Sequence, residues 1–251
     1  MTEPIHIISL GAGVQSSAMA LMAAKGLITP MPQCAIFADT GDEPSEVYAW
    51  LEKLTELLPF PVHIVKPETT LSEGIVNRWG HSQIPAFYMN EKGEASIGKR
   101  QCTKHFKITP IRRAIRELFP NQDVNLWCGI SIDEATRAKD SGVQWLTHKF
   151  PMLEHRMNRH ECSQYVVKLT GEVPPKSACV YCPYRRADQW RISQKSEEQM
   201  RIIRKVEAIL IPRGEYLHTK MKPIDEIDFS TMEELGQLNL FENECEGMCN
   251  T

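Results

Sequence analysis

The chain has 251 residues, of which 42% are hydrophobic and 24% are charged, and its formal net charge is −3. This composition is typical of a folded globular protein, and it gives no global basic field of the kind that indicates nucleic-acid binding. No apolar run approaches the roughly 20 residues that a membrane-spanning helix needs, and no basic segment followed by an apolar stretch indicates a secretory signal. We therefore expect a cytoplasmic protein with no membrane partner.

The first 150 residues predict a domain in which strands and helices alternate. The strands are expected at Ile5–Leu10, Gln33–Phe37, Pro61–Val65 and Val124–Ile132. The helices are expected at Ser16–Lys25, Ser45–Leu58 and Ile108–Leu118. This alternation predicts the α/β class, with a parallel sheet sandwiched by helices and with ligands bound at the carboxyl ends of the strands.

The rest of the chain departs from this pattern. Residues 66–101 are predicted to form a long insertion with a hairpin around 90–93, and we call this segment the excursion. A further helix is expected at about 194–209. We predict three regions: an α/β domain at 1–150, a small cysteine-containing region with helices at 151–237, and a mobile cysteine tail at 238–251.

The first strand is followed by a turn of small residues and then by a helix. The residues there that could bind a ligand are Gly11, Gly13, Gln15, Ser16 and Ser17. Backbone N–H groups and the positive end of the helix dipole point at one spot, which favours an anion and most often a phosphate. The turn lacks the Gly-Lys-Ser/Thr of a Walker loop and the third glycine of a dinucleotide fingerprint. The alternative is an ordinary glycine turn.

Acidic residues follow two further strands. Asp39 and Thr40 come directly after the second strand, and Glu134 follows the fourth, with Arg137 three residues later. Carboxylates at strand ends bind ribose hydroxyls or a metal ion such as Mg²⁺, and an arginine can clamp a phosphate. The alternative for each group is a helix start with its capping residues.

Six of the eight cysteines lie in polar or turn-like segments. They are Cys102, Cys162, Cys179, Cys182, Cys245 and Cys249. The pair at 179 and 182 brings two sulfurs within reach of one metal, and with Cys102 and Cys162 four thiolates become available. Four thiolates match either a [4Fe–4S] cluster or a zinc site, while a redox dithiol and an inert structural pair are the alternatives.

Two of these cysteines are candidates for chemistry of their own. Cys102 is surrounded by five basic residues just before a helix, and both features stabilise a thiolate. Cys245 lies in an acidic tail, where flanking carboxylates raise the pKa of a thiol and argue against a resting thiolate. The tail is either a mobile carrier of sulfur or a passive segment.

In chain order, these segments resemble the PP-loop ATP pyrophosphatases and the related phosphoadenylyl sulfate (PAPS) reductases. Residues 11–16 are similar to the Ser-Gly-Gly-x-Asp-Ser loop of those families, with Gly11 at the first serine and Gln15 at the aspartate. Asp39-Thr40-Gly41 is similar to the Asp-Thr-Gly that PAPS reductases carry at the same strand end. The resemblance implies the adenine nucleotide alpha-hydrolase-like fold and a PP-loop nucleotide-binding domain at 1–150.

The later motifs extend the resemblance to about residue 190. Residues 102–110 are similar to a Cys-x-x-x-Leu-Lys-x-x-Pro signature, with one cysteine where cluster-binding members carry two. Residues 129–137 are similar to a Gly-x-Arg-x-x-Glu-Ser-x-x-Arg segment, with Ser131 at the first arginine. In the same families the Cys-x-x-Cys-Pro segment carries cluster ligands, which favours an iron–sulfur cluster here. The tail is similar to the Glu-Cys-Gly-x-His ending of assimilatory PAPS reductases, although Glu246 is inserted.

The resemblance implies binding of an adenine nucleotide such as ATP, cleavage at its α-phosphate and sulfur chemistry at cysteines. It implies nucleotide contacts from the residues of the loop and from Asp39, Thr40 and Arg137, and catalytic roles for Cys245, Cys102, Asp39 and Glu134. The cofactors are expected to be ATP, Mg²⁺ and a [4Fe–4S] cluster, with zinc as the alternative. The cluster ligands are expected to be Cys102, Cys162, Cys179 and Cys182.

We expect an ATP pyrophosphatase that activates a nucleic acid for sulfur transfer, as in DNA phosphorothioation. The alternatives are a reductase of PAPS or adenylyl sulfate, and a non-enzymatic nucleotide- or metal-binding accessory protein in which Gln15 replaces a needed acid. The expected partners are a DNA or RNA substrate, a cysteine desulfurase as sulfur donor and a second copy in a homodimer. The basic clusters that could contact phosphates lie at 112–116, 155–159 and 185–191.

Overall fold

A five-stranded parallel sheet forms the centre of the chain, of which the computed structural model describes residues 3–230. Its strands are β1 (Ile5–Leu10), β2 (Cys34–Ala38), β3 (Val62–Val65), β6 (Val124–Cys128) and β7 (Leu146–Lys149). The order across the sheet is β3-β2-β1-β6-β7, and each neighbouring pair is parallel. The strand order therefore reverses at β1, which is where open sheets of this kind bind their ligands.

Helices cover both faces of this sheet. They are α1 (Val14–Ala24), α2 (Ser45–Glu56), α3 (Thr109–Leu118), α4 (Pro151–Glu154) and α5 (Arg159–Thr170). On one face Ile8 and Leu10 of β1 pack with Trp50 of α2 and with the buried side of α1. On the other face Ile7 packs with Ile115 of α3. The predicted α/β class, a parallel sheet sandwiched by helices, is confirmed.

A small antiparallel sheet lies in the segment that follows β3. It pairs β4 (Phe87–Met89) with β5 (Ala95–Ile97) on one side and with β8 (Glu215–Tyr216) on the other. The hairpin expected around 90–93 is present, because the Asn90 side-chain oxygen accepts hydrogen bonds from the N–H groups of Lys92 and Glu94. The pairing of β4 with β8 joins the excursion to the end of the described chain.

A second apolar core combines the excursion with the cysteine-containing region. Leu71 and Ile84 pack there with Trp190 of α6 (Ala187–Gln194) and Ile203 of α7 (Glu197–Leu210). The sheet core in turn takes in α5, which follows residue 150 and packs on α1. The packing therefore crosses residue 150 in both directions. The three-region division stays a prediction, and its tail at 238–251 lies outside the described residues.

Two predicted elements differ from the structure. The strand predicted at Val124–Ile132 ends at Cys128, because Gly129 leaves the sheet and a 3₁₀ turn follows at Ile132–Arg137. The single helix predicted at 194–209 is the end of α6 followed by α7, which starts anew with the Ser196 hydroxyl accepting a hydrogen bond from the Gln199 N–H. Within residues 3–230 no helix is long and apolar enough to cross a membrane.

Candidate functional site

The loop between β1 and α1 is organised around one serine. The Ser16 hydroxyl lies 3.2 Å from the Gly11 nitrogen and 3.3 Å from the Gly13 nitrogen, and it accepts a hydrogen bond from each. Ala12 between them has a positive φ of 53°, which turns the chain sharply before α1 begins. The amides of Gly11 and Gly13 therefore converge on the Ser16 hydroxyl, beside the helix N-terminus, whose positive dipole end favours an anion.

Two segments approach this loop so closely that side chains have little room. A Cβ on Gly129, just past β6, would lie 2.8 Å from the Ser16 nitrogen, so this position needs glycine. A Cβ on Gly13 would lie 3.6 Å from the Ser177 Cβ, which places the segment before Cys179 directly against the loop. The loop is thus packed between the end of β6 and the cysteine-containing region.

Ser17, a predicted ligand, lies behind the loop. Its side chain is fully buried, and its hydroxyl accepts a hydrogen bond of 2.9 Å from the Trp50 indole nitrogen. Its amide bonds the Gly13 carbonyl within α1. The structure therefore gives Ser17 a packing role, while the Ser16 hydroxyl is where the loop amides converge.

Gln15 connects the loop to residues that are far away in the sequence. Its amide nitrogen lies 3.4 Å from Ser131 Oγ and 3.4 Å from Glu134 Oε2, and donates to both. Its side-chain oxygen accepts a hydrogen bond of 2.9 Å from the Arg159 guanidinium at the start of α5. Glu134 also accepts from Arg137 at 2.6 Å. The structure thus brings the predicted Gln15, Glu134 and Arg137 together and adds Arg159, which belongs to a basic cluster noted in the sequence.

Cations gather above the loop on the side of the cysteine-containing region. Burial lowers the pKa of Lys176, and the positive charges of Arg186, Arg159 and Arg185 lower it further. Lys176 also donates a hydrogen bond of 2.9 Å to the Gln189 side-chain oxygen on α6. Sequence reasoning did not single out Lys176, and the signal that could have found it was its place next to Ser177 and the cysteine pair.

The other predicted carboxylate, Asp39, is held by its own neighbourhood. Buried at the end of β2, it accepts hydrogen bonds from the Gly41 N–H at 2.8 Å and from the Tyr48 hydroxyl at 2.7 Å. Burial and this bond to Asp39 raise the pKa of Tyr48, which keeps it a donor. Lys66 lies 3.5 Å from the other oxygen of Asp39. Asp39 therefore fixes the strand end on the β2 side of the loop.

The end of β2 also binds the second core. Asp42 accepts hydrogen bonds from the Ser72 N–H and hydroxyl at 2.7 and 2.9 Å, and from the Tyr181 hydroxyl at 2.7 Å. Beside it, the buried Glu43 pairs with Lys107 at 3.0 Å. Burial lowers the pKa of Lys107, but the Glu43 carboxylate outweighs it and the net shift is upward. These buried bonds hold the cysteine-containing region against the sheet.

One predicted cysteine, Cys179, lies in this second core, and Cys102 packs against it. Cys182 is half-buried and follows Tyr181 directly in the sequence. Cys179 Sγ lies 3.3 Å from the Thr40 hydroxyl, and burial raises the pKa of its thiol. Burial also raises the pKa of Cys182. The structure therefore places these three thiols on the β2 side of the loop.

Cys162 does not lie with them in the described fold, and its role as a fourth ligand stays a prediction. It is fully buried in the sheet core, where its thiol contacts the Met152 sulfur at 3.8 Å. The reason is its position on α5: the Asn158 capping box sets the start of that helix, so Cys162 and Val166 both face α1. Burial raises the pKa of this thiol to about 11.

A metal centre is not assembled by residues 3–230. No group of three or more His, Cys, Asp or Glu side chains there is placed to hold a metal ion. Cys102 and Cys179 share a core that Cys162 does not join, and Cys179 is already hydrogen-bonded to Thr40. The residues that the structure describes therefore do not fit a [4Fe–4S] cluster or a four-cysteine zinc site, and we derive no chemistry through either. Cys245 and Cys249 lie outside the described range.

A strand–turn–helix phosphate loop at the reversal point of a parallel sheet defines a PP-loop α/β domain. Residues 5–158 match the model of the phosphoadenosine phosphosulfate reductase domain, which covers more than half of the chain, and the chain belongs to this family. It is similar to the crystal structure of the PAPS reductase from Candida auris in its phosphate complex. That match has 16% identity and a TM-score of 0.47, covering 70% of this chain and 76% of the other. Comparison with curated protein sequences gave no match.

Membership of this family confirms the resemblance to PAPS reductases and the PP-loop superfamily. The family is enzymatic, so the chain is classed with sulfur-related, nucleotide-processing enzymes. The finer assignment to DNA phosphorothioation is not confirmed by these comparisons.

Proposed function

We propose that the chain binds ATP with its phosphates at residues 11–16 and uses it to activate a nucleic acid for sulfur transfer. The observation that carries the proposal is the loop at the start of α1, whose Gln15 side chain contacts both the Glu134 carboxylate and the Arg159 guanidinium. Several positive charges around one loop suit a polyphosphate, whose charge grows as its anhydride bond breaks.

Gln15 supports this role because it holds Arg159 without neutralising it. The contact is a hydrogen bond from the guanidinium to an uncharged amide oxygen, at 2.9 Å. A carboxylate at this position would form an ion pair with Arg159 and offset the charge that a phosphate needs. In this proposal Gln15 is a positioning residue, and Arg159 binds the phosphates directly.

Mg²⁺ fits the proposal through one carboxylate. This ion binds nucleotides with one or two carboxylates and the substrate's own phosphates, so it needs no preformed protein cage. Both carboxylates already accept hydrogen bonds, Glu134 from Gln15 and Arg137 and Asp39 from Tyr48 and Gly41, but Glu134 is partly exposed whereas Asp39 is buried. Glu134 would hold the ion, which when bound offsets charge on the leaving pyrophosphate.

The sulfur transfer would then follow in three balanced steps. An acceptor oxygen of the nucleic acid attacks the α-phosphorus of ATP, and pyrophosphate leaves. A cysteine persulfide, charged by a cysteine desulfurase, then displaces AMP through its outer sulfur. A second thiol attacks the resulting disulfide, which leaves the sulfur on the acceptor and the two cysteines as a disulfide. Cys102 and Cys182 are the described candidates, and Cys245 is a candidate outside the described range.

The second candidate function is reduction of PAPS or adenylyl sulfate, and the family match favours it directly. In that reaction a thiol attacks the sulfur of the sulfonyl group, and the nucleotide leaves with the bridging oxygen. A second thiol then releases sulfite and forms a disulfide. The third candidate, a non-enzymatic accessory protein, is favoured by Gln15 standing where the resemblance expects an acid.

One experiment separates the three. The purified protein is incubated with ATP and Mg²⁺, with and without an oligonucleotide, and pyrophosphate is measured by a coupled assay. A parallel reaction contains PAPS and a dithiol, and sulfite is measured. Pyrophosphate that depends on the oligonucleotide supports the proposal, sulfite alone supports the reductase, and neither product supports the accessory protein. Arg159→Ala should lower the rate at which the detected product, pyrophosphate or sulfite, is released. Arg116→Ala on α3 is the matched control.

A further inference from the structure

An open cavity of about 360 Å³ lies between the excursion and β8. Its lining includes His81, Ser82, Tyr88, Lys99, Gln101 and Glu215. We propose that this cavity and the two arginine–aromatic pairs beside it dock a single strand of nucleic acid. We call this the stacking surface, and it consists of Arg78, Trp79, Lys99, Arg100 and Tyr184 together with the cavity. The inference rests on the proposed function and names the form of its acceptor.

The first pair is a tryptophan presented to solvent. Trp79 is 67% exposed, and the guanidinium of Arg78 lies 4.1 Å from its ring centre. A tryptophan this exposed is uncommon in a folded protein, where its large apolar ring is usually covered. One face of the ring is taken by Arg78, and exposure of the rest leaves room for a base to stack.

The loop that carries Trp79 is fixed by its own hydrogen bonds. The Asn77 side-chain oxygen accepts from the N–H groups of Trp79 and His81, at 3.0 and 2.9 Å. Arg213 donates to the Gly80 carbonyl from the other side of the loop. The ring is therefore held in place before a ligand arrives, which reduces the entropy lost on binding.

The second pair lies at the other end of the cavity lining. The Arg100 guanidinium is 5.6 Å from the ring centre of Tyr184, and that tyrosine is 50% exposed. Arg100 stands between Lys99 and Gln101, which both line the cavity, just as Trp79 stands two residues from His81. Both pairs are thus within two residues of the same cavity wall.

The charge of this surface selects the kind of partner. Arg78, Lys99 and Arg100 supply positive charge, although the whole chain carries −3. Glu215 is the carboxylate of the lining, and Arg213 engages it at 3.1 Å. Exposed rings interleaved with cations match alternating bases and phosphates, and stacking on protein rings requires bases free of a duplex. The observations therefore favour a single strand over a protein partner.

Residues of the stacking surface are close in sequence to Cys102 and Cys182. Gln101 lines the cavity, and the next residue, Cys102, donates its N–H to the Gln83 carbonyl at 2.7 Å. At the other pair, the Tyr184 N–H and the Arg100 charge act on the Cys182 thiol and partly offset the effect of burial on its pKa. A strand on the stacking surface would therefore present its backbone next to Cys102 and Cys182.

The test measures binding without ATP, so that it does not depend on turnover. A fluorescein-labelled single strand of about 20 nucleotides, longer than one stacking site of this kind, is titrated with the full chain, and polarisation is followed. Trp79→Ala and Arg100→Ala should each weaken binding by about fivefold or more. Trp79→Phe should retain most of it, and Arg204→Ala, which removes an arginine of α7 that pairs with Asp225 outside the surface, should leave it unchanged.

Each outcome decides the proposal. Tighter binding of the single strand than of its duplex, lost in Trp79→Ala and kept in Trp79→Phe, supports it. Absent binding, equal affinity in Trp79→Ala, or equal affinity for the duplex overturns it. Self-association in sedimentation velocity that Trp79→Ala abolishes, with no strand binding, also overturns it in favour of a second copy. Pyrophosphate release that persists without strand binding would overturn the surface alone, and binding without nucleotide turnover would overturn the proposed function alone.

Discussion

Replacing Gly129 by alanine tests whether the loop at residues 11–16 is the phosphate site. The new methyl group would lie 2.8 Å from the Ser16 nitrogen and 2.9 Å from its Cα. Both are backbone atoms, so neither can rotate away, and ordinary contact begins near 3.4 Å. The end of β6 or the loop must therefore move by about 0.6 Å, which lengthens a hydrogen bond of about 2.9 Å to about 3.5 Å, beyond the usual range.

The expected result is weaker nucleotide binding with a folded protein. Loss of one or two hydrogen bonds to a charged phosphate costs about 2–4 kcal/mol, which is roughly a 30-fold loss of affinity or more. Titration calorimetry with a non-hydrolysable ATP analogue and with PAPS measures it. Cys128→Ala is the control, because it changes the neighbouring side chain without placing an atom against Ser16. Unchanged affinity in Gly129→Ala, with a melting temperature like that of Cys128→Ala, would refute the reasoning.

Three further predictions follow from named contacts. Gln15→Leu removes the acceptor of Arg159, so nucleotide affinity measured by calorimetry should fall by about 1–2 kcal/mol, and equal affinity would leave Gln15 without a positioning role. Cys162→Ser buries a hydroxyl in the sheet core, so the free energy of unfolding should fall by about 1–3 kcal/mol and thermal unfolding should begin several degrees lower. The iron and zinc content of the anaerobically purified variant should equal that of the parent protein. Burial raises the pKa of Glu207 from its ordinary value of 4.5 to about 7. Between these two pH values the folded state keeps a proton that the unfolded chain releases. Stability should therefore fall as pH rises from about 4.5 to about 7, and Glu207→Gln, which can still accept from the Ile224 N–H, should flatten this part of the unfolding curve.

Local patterns in the sequence were enough to predict four of the five strands of the parallel sheet, whereas β7 at Leu146–Lys149 was not predicted. β1 is confirmed at Ile5–Leu10, and the other predicted strands and helices of this domain lie within a few residues of the observed ones. Each of those elements has a characteristic spacing of hydrophobic residues, which follows from burial of one or both of its faces. The phosphate loop was equally local, because a strand, a small-residue turn and a helix follow one another directly.

The contacts that complete the site could not be predicted, since they join residues far apart in the sequence. Gln15 and Arg159 are separated by 144 positions, and Thr40 and Cys179 by 139. The spacing of cysteines suggested four ligands, but spacing does not say which face of a helix is buried. The cap at Asn158 sets the start of α5, so Cys162 faces α1. Its thiol is therefore buried in the sheet core and not in the second core.

Contacts at the end of β2 join the sheet core to the second core near the loop at residues 11–16. Asp42 binds Ser72 of the excursion and Tyr181 of the cysteine-containing region, so a single buried carboxylate holds both to the sheet. Such a carboxylate is costly to bury unless every partner is present, and removal of either partner would leave charge unpaired. Since Ser177, a few residues before Tyr181, also packs on Gly13, the position of the cysteines and the shape of the phosphate loop depend on the same contacts. A displacement of the cysteine-containing region would therefore reach the loop directly, and on the proposed function the thiols and nucleotide binding would be coupled.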